Sequence, residues 1–292
     1  MRIGLIGFGT IGKAVATALS TKHTGVEVST ILVQDKNKLR ADVDGGTLQK
    51  ITADPDQFFS KDIQVVVEAA GHGALKQYAE RALRSGRDVL AVSVGVFADE
   101  SFLTSIRATA NETGRKLLVP SGALGGLDAI SSAAVGEIYE VVLEVRKPVA
   151  AWIGTPADFL ALRATDEAIC FYEGKARDAV AAFPQNVNVL AALSLAGIGF
   201  DRTAVRMFID PGAKHNTFDL SARGEFGEIT LKLKNIPYPE NPKTGRLVVM
   251  SLLKAIKRLT DPIIGHQQLP VQIIQPNVAS VSEHQSSDAR RC

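Results

Sequence analysis

The sequence predicts an α/β protein whose first half is a parallel sheet covered by helices. Three observations predict it. Short β-branched runs at 3–6, 26–33, 65–69 and 89–94 alternate with stretches of helical period. Alternation of that kind folds as βαβ units with right-handed crossovers. The first run leads into Gly7, Gly9 and Gly12 at G-x-G-x-x-G spacing, with Ile11, Val15 and Leu19 recurring at every fourth residue. Strand, glycine turn and helix in that order are the context that a dinucleotide-binding reading requires.

In such a turn each glycine has its own task. Gly7 permits the tight turn, Gly9 lets the backbone approach a pyrophosphate, and Gly12 lets helix and strand pack closely. The helix start at Thr10 and Ile11 offers N–H groups and partial positive charge to the phosphates. The alternative is a glycine turn with no ligand. The unit is expected to be a Rossmann domain that binds NAD or NADP.

Composition sets outer bounds. The 292 residues suffice for two domains. With 46% hydrophobic and 22% charged residues, a sizeable core is within reach. A net charge of +2 gives no nucleic-acid or membrane-surface footprint, and no apolar run reaches transmembrane length. Cys170 and Cys292 make no disulfide framework, so a reducing, cytoplasmic setting is expected. The opening residues do not read as a signal peptide, because glycines and Lys13 interrupt them. The five histidines and two cysteines are scattered, so no metal site is expected. No Gly-x-Ser-x-Gly elbow supports a hydrolase.

Along the chain, Gly25 fits the end of the first helix. Asp35 follows the second strand and is the candidate for the ribose 2′-hydroxyl. Lys36, Lys38 and Arg40 come next, either to accept a 2′-phosphate or as a solvated basic turn, so NAD and NADP both stay open. The run at 65–69 ends in Ala70-Gly-His-Gly73, and a helix follows with Leu75, Ala79, Ala82 and Leu83 on one face. The strand at 89–94 leads into Gly95. Ligands of such sheets bind at the carboxyl ends of strands, which puts Gly71, His72, Ser93 and Gly95 on the cofactor side. His72 is otherwise a turn residue facing water. Asp99 is placed to cap a helix that runs to about 111. A strand at 116–119 then precedes the glycine-rich turn at 120–128, near where a nicotinamide would lie.

The domain boundary falls there, giving a Rossmann domain over 1–120 and a substrate and dimerisation domain over 121–240. A helix is predicted over 129–135 and a strand at 141–145. Asn186 and Asn188 stand before an alanine-rich helix over 191–196, one to cap it and one to face a ligand. Strands follow at 205–209, 217–222 and 228–233, with Gly224 and Gly227 in the last connection. Leu231 and Leu233 alternate with Lys232 and Lys234, so one face is buried and one is wet. The segment Asn241-Pro-Lys-Thr-Gly245 punctuates the chain, and a helix over 246–259 is expected to return to the first domain within a C-terminal segment at 241–264. Residues 265–292 read as a disordered tail.

By this point the chain resembles the L-aspartate dehydrogenase family, from Arg2 to about Leu259. The stretches that carry the resemblance lie in the family's order. They include Val67-Glu-Ala-Ala-Gly-His72, Val92-Ser-Val-Gly95, Ser121-Gly-Ala-Leu-Gly-Gly-Leu-Asp-Ala129, Arg146-Lys-Pro148 and Trp152-Ile-Gly-Thr-Pro156. They continue through Asn186-Val-Asn-Val189, Ser194-Leu-Ala-Gly197, Asp201-Arg-Thr203, Asp210-Pro211, Gly224-Glu-Phe-Gly227 and Asn241-Pro-Lys-Thr244. The resemblance implies a Rossmann domain, a second α/β domain with an open mixed sheet, and a homodimer. It implies oxidation of L-aspartate by NAD or NADP through iminosuccinate to oxaloacetate and ammonia, or the reverse, with iminosuccinate available to NAD biosynthesis. By position, Ala123 and Asn188 match the family's residues beside the cofactor.

One departure stands out. The family carries a catalytic histidine in an Asn-x-His segment, and here that segment is Asn216-Thr217-Phe218. A phenyl ring has no titratable proton, and acid–base help of this kind is worth about 10²–10⁴-fold. His215 is the possible substitute, although an odd offset along a strand sets it on the opposite face from Phe218. It is otherwise an exposed loop histidine. His72 or an ordered water is a further fallback. Lys147, Lys243, Thr244 and Asn216 are candidates to hold the substrate dicarboxylate; the lysines are otherwise surface charges. Two other readings follow from the departure: a cofactor-binding relative that senses redox state without turnover, and a related amino-acid dehydrogenase with a shifted substrate. A homoserine-type dehydrogenase fits the stretches around Trp152 and Asn186 less well.

Overall fold

The computed structural model describes residues 1–21, 25–39, 43–164, 166–184 and 188–261. Arg40, Asn186 and the tail at 265–292 lie outside them. The first unit runs β1 (Arg2–Ile6), α1 (Thr10–Ser20), β2 (Glu27–Leu32), α2 (Gly45–Leu48), β3 (Ile51–Thr52), α3 (Pro55–Phe59), β4 (Val65–Glu68), α4 (His72–Arg84), β5 (Asp88–Ala91), α5 (Glu100–Thr113) and β6 (Leu117–Leu118). Its six strands are all parallel, in the order β3-β2-β1-β4-β5-β6. That is the doubly wound order, and its switch point lies between β1 and β4. β1 and β4 are buried on both faces because helices cover both sides, hence their near-continuous apolar runs.

The predicted boundaries shift by a few residues. α5 is capped by Asp99, which accepts from Ser101 N and Phe102 N at 3.1 and 3.3 Å, and it ends at Gly114 with φ +65°. The Lys76 ammonium and these donors hold the Asp99 carboxyl well below the usual carboxylate range. In α1 the buried residues are Gly12, Val15, Ala16 and Leu19. Ile11, which the spacing assigned to the buried stripe, is only partly buried.

The second unit runs α6 (Leu127–Ala133), β7 (Ile138–Lys147), α7 (Asp158–Ala161), β8 (Ile169–Lys175), α8 (Ala176–Ala182), α9 (Asn188–Ala196), β9 (Thr203–Ile209), β10 (Asn216–Gly224), β11 (Gly227–Asn235), β12 (Pro237–Tyr238), β13 (Asn241–Gly245) and α10 (Arg246–Arg258). Its five-stranded sheet has the order β11-β10-β7-β9-β8 and is mixed, with only β7 and β9 parallel. Val141, Leu143 and Val145 of β7 are buried in one cluster with Ile130 of α6 and Leu190 and Leu193 of α9. The alternate β7 residues Val142, Glu144 and Arg146 stay partly exposed on the other face.

Besides the short elements β3, α2, α3 and α7, three features were not legible beforehand. β7 extends to Lys147, so that lysine ends a central strand rather than standing in a loop. The 241–245 segment, read as punctuation, pairs with β12 as a small antiparallel ladder. β8 and α8 carried no clear period in the sequence. α10 buries Val249, Leu252 and Ile256 in the cluster formed by Ile3, Leu5 and Val15, and so packs on the first sheet's helix layer.

Candidate active site

The glycine turn follows directly from the backbone. Gly7 has φ +98°, and a Cβ there would lie 2.7 Å from the carbonyl oxygen of Ala69. A Cβ at Gly12 would lie 2.2 Å from the carbonyl oxygen of Gly7. Gly9 differs: a Cβ there meets nothing within 4 Å. Gly9 is also the N-cap of α1 and makes no side-chain capping bond. An open, uncapped helix start beside a glycine backbone fits a pyrophosphate. Asp35, past the end of β2, accepts from Asn37 N at 2.8 Å through Oδ1.

A carboxylate that the sequence reading did not single out organises the next strand ends. Glu68, 1% exposed, closes β4. Its Oε1 accepts from Ala70 N (2.7 Å), Gly71 N (2.8 Å) and Ser93 Oγ (2.8 Å), and its Oε2 accepts from Ser93 N (3.0 Å). It thus locks the 70–71 turn to the end of β5, and Ser93 turns its hydroxyl inward to it. The signal was present as one acidic residue in an all-valine run.

His72 opens α4 and is not a water-facing turn residue. Its Nε2 lies 3.2 Å from Asn188 Oδ1, which also accepts from Gly95 N at 3.0 Å. A backbone N–H can only donate, so this oxygen is fixed as acceptor and His72 donates from Nε2. Asn188 opens α9, so the bond joins the two units, and its amide NH₂ is left to face elsewhere.

A cavity opens where these parts meet. Ile11, Val92 and Val94 line it from the first unit, and residues 120–123 from the glycine-rich turn. Asn188, Lys147, Asn216 and Phe218 line it from the second unit, and Lys243 and Thr244 from β13. It therefore gathers Ile11, Ala123 and Asn188 with all four expected substrate residues. His215 precedes β10, is partly exposed and does not line it. Ala123 is fastened by Asn235 at the end of β11, whose Nδ2 donates to the Ala123 carbonyl at 2.7 Å. That residue too was missed, because only pairing of the strands brings 235 to 123.

Phe218, Asn216 and Lys147 of the second-unit wall are buried. Phe218 is 2% exposed and pairs with Val145 of β7 and Leu233 of β11. Asn216, 1% exposed, donates from Nδ2 to the Pro242 carbonyl at 3.1 Å, while its Oδ1 is buried with no hydrogen-bond partner. Lys147 is 2% exposed, with Nζ 5.4 Å from the centroid of the Trp152 ring. Burial, reinforced by the neighbouring Lys243 charge, pushes its ammonium down to about 7. Among the described residues no group of three or more metal-ligating side chains comes together, and no helix is long and apolar enough to cross a membrane.

The doubly wound sheet and glycine turn define an NAD(P)-dependent oxidoreductase. Residues 7–120 match the homoserine dehydrogenase NAD-binding domain, and residues 128–259 match the aspartate dehydrogenase C-terminal family. The L-aspartate dehydrogenase of Brucella anthropi is 37% identical over 87% of this chain and 95% of its own length. That of Methanosarcina barkeri is 34% identical over 90% of this chain and 98% of its own. The crystal structure of aspartate dehydrogenase from Thermotoga maritima superposes with a TM-score of 0.70 at 25% identity, covering 91% of this chain and 99% of that one. The chain belongs to the L-aspartate dehydrogenase family.

Proposed function

We propose that this chain oxidises L-aspartate with NAD or NADP to iminosuccinate, which water converts to oxaloacetate and ammonia, or runs the reverse. The observation that carries this is the cavity wall. Two lysines and a threonine line the same cavity as a buried Asn216 Oδ1 that has no hydrogen-bond partner, together with Ile11, Ala123 and Asn188. A dicarboxylate suits the side chains of Lys243 and Thr244. A substrate amine or imine N–H suits the free acceptor, since a buried acceptor without a partner costs about 1–3 kcal/mol.

The bound nicotinamide supplies hydride acceptance, and the protein's part is to orient the reactants. In this reading Gly7, Gly9, Thr10, Ile11 and Gly12 hold the pyrophosphate, and Asp35 faces the adenosine ribose. Gly71, His72 and Ser93 shape the strand ends below the cofactor. Ala123 and the free Asn188 NH₂ adjoin the nicotinamide. Lys243 and Thr244 take the carboxylates, and Phe218 closes the wall as an apolar surface where the family's histidine is expected. A homodimer through the helix-free face of the second sheet belongs to the same reading; partly exposed Val142 and Phe208 on that face support it.

The test is oxidation of NADH and NADPH with oxaloacetate and ammonium, on the parent and on Phe218→His. Turnover by the parent is the expected result. Cofactor binding without turnover by either protein would sink the aspartate reading.

A further inference from the structure

Oxidising an amine to a ketone requires a proton to leave water and another to reach nitrogen. Among the described residues that line the cavity, the titratable side chains are Lys147 and Lys243. They differ sharply in setting. Lys243 sits partly exposed on β13. Lys147 is sealed at the end of a central strand.

The strand register aims Lys147 at the reaction space. Val145 pairs with Phe218, and Arg146 with Thr217. Side chains alternate along a strand, so Lys147 shares the inner face with Val145, Phe218 and Asn216. A diagonal cross-strand neighbour lies about 7–8 Å away between backbones, within reach of a long side chain. Lys147 thus shares a face with the unpartnered Asn216 oxygen and with Phe218. The charged groups packed around it are Lys243 from β13 and the Arg146–Asp210 pair (3.5 Å), which alternation sets on the other face of β7. His215 stands just ahead of β10.

We propose that the Lys147 amine takes and returns the proton when water adds to the C=N carbon of the bound imine. The proposal rests on the aspartate reading above. Hydride loss from the amine leaves the protonated imine (C=NH2⁺); water oxygen bonds to its carbon, the C=N π pair neutralises the nitrogen, and a water proton passes to Lys147 Nζ. The resulting carbinolamine then loses ammonia. Nζ returns its proton to the nitrogen, the C–N bond breaks, and the hydroxyl forms the C=O while its proton leaves to solvent with the ammonia. The two steps consume no oxidant and leave Lys147 neutral, as it began. Burial and the Lys243 charge make the neutral amine available near pH 7. The group acts as a base, so the rate rises as pH rises through that value.

The experiment is a pH profile of kcat for aspartate oxidation by the parent, Lys147→Arg and Lys243→Met, with NADH binding followed by fluorescence. The parent is expected to rise through an apparent pKa of about 7. Lys147→Arg should keep NADH binding, lose about 10²–10⁴-fold in kcat and lose the rising limb. Lys243→Met should move the limb to higher pH, because removing a neighbouring cation lets Lys147 hold its proton longer. If Lys147→Arg keeps the limb, or changes only KM, Lys147 is a carboxylate ligand and the proton role is overturned. A limb that Lys243→Met does not move overturns it as well, even if the arginine variant fails to fold. A parent that binds NADH but turns over neither aspartate nor oxaloacetate with ammonium overturns the aspartate reading, and this role with it.

Discussion

The two walls of the cavity are built from opposite materials. The glycine-turn side is made of backbone: Gly7 and Gly12 leave no room for a Cβ, Gly9 is open, and α1 begins without a side-chain cap. The β7–β10–β13 side is made of side chains, and two buried polar ones are at odds with their surroundings. Asn216 Oδ1 has no partner, and Lys147 is buried beside another lysine. The contrast teaches where stability is given up. A backbone cradle has its donors ready at little cost, because helix starts leave N–H groups unpaired in any fold. A side-chain wall that awaits a polar substrate holds groups that are unfavourable until the substrate arrives.

That comparison can be broken at either wall. The largest effect is expected from Gly12→Val, because a Cβ already falls 2.2 Å from a carbonyl oxygen. NADH binding should weaken by more than about 100-fold, and overpacking should lower stability by roughly 1–3 kcal/mol. Titration calorimetry with thermal melting would check both, and unchanged binding would mean the turn is not the cradle.

The opposite wall should respond in the opposite sense. Lys147 titrates below its unfolded value, so folding favours the neutral form. Between about 7 and 10.5 the unfolded chain holds a proton that the folded chain does not, and stability rises with pH across that window. Below it the full penalty applies. Lys147→Met should therefore raise stability at pH 7 by something on the order of 3 kcal/mol and flatten the rise. Denaturant melts at several pH values would show it. A destabilised methionine variant would mean the lysine's partners outweigh its burial.

The smallest effect sharpens the comparison at the edge of the backbone wall. Asp35→Ser keeps a capping oxygen for Asn37 N but removes the charge that, on the proposed reading, faces the adenosine ribose and would repel a 2′-phosphate. NADP use relative to NAD should rise by about 10-fold, in line with about 1.4 kcal/mol from one charge. An unchanged ratio of kcat/KM for the two cofactors would place the ribose elsewhere.

Five of the six strands of the first sheet, the glycine turn and the longer helices are legible in the residues alone, because these depend on local period and on where a Cβ cannot fit. Gly7, Gly9 and Gly12 announce their roles within six consecutive positions of a single turn. Asp99 and the Gly224–Gly227 hairpin are legible for the same reason. Tertiary structure alone decided the second wall. Whether Lys147 is a surface charge or a buried amine depends on Trp152, Lys243 and the length of β7. Joining Asn188 to His72 and Gly95, and Asn235 to Ala123, depends on packing between distant segments. Helix period and turn chemistry act over a few residues and leave a local pattern. Desolvation and cross-strand neighbours arise only once remote stretches of chain are pressed together.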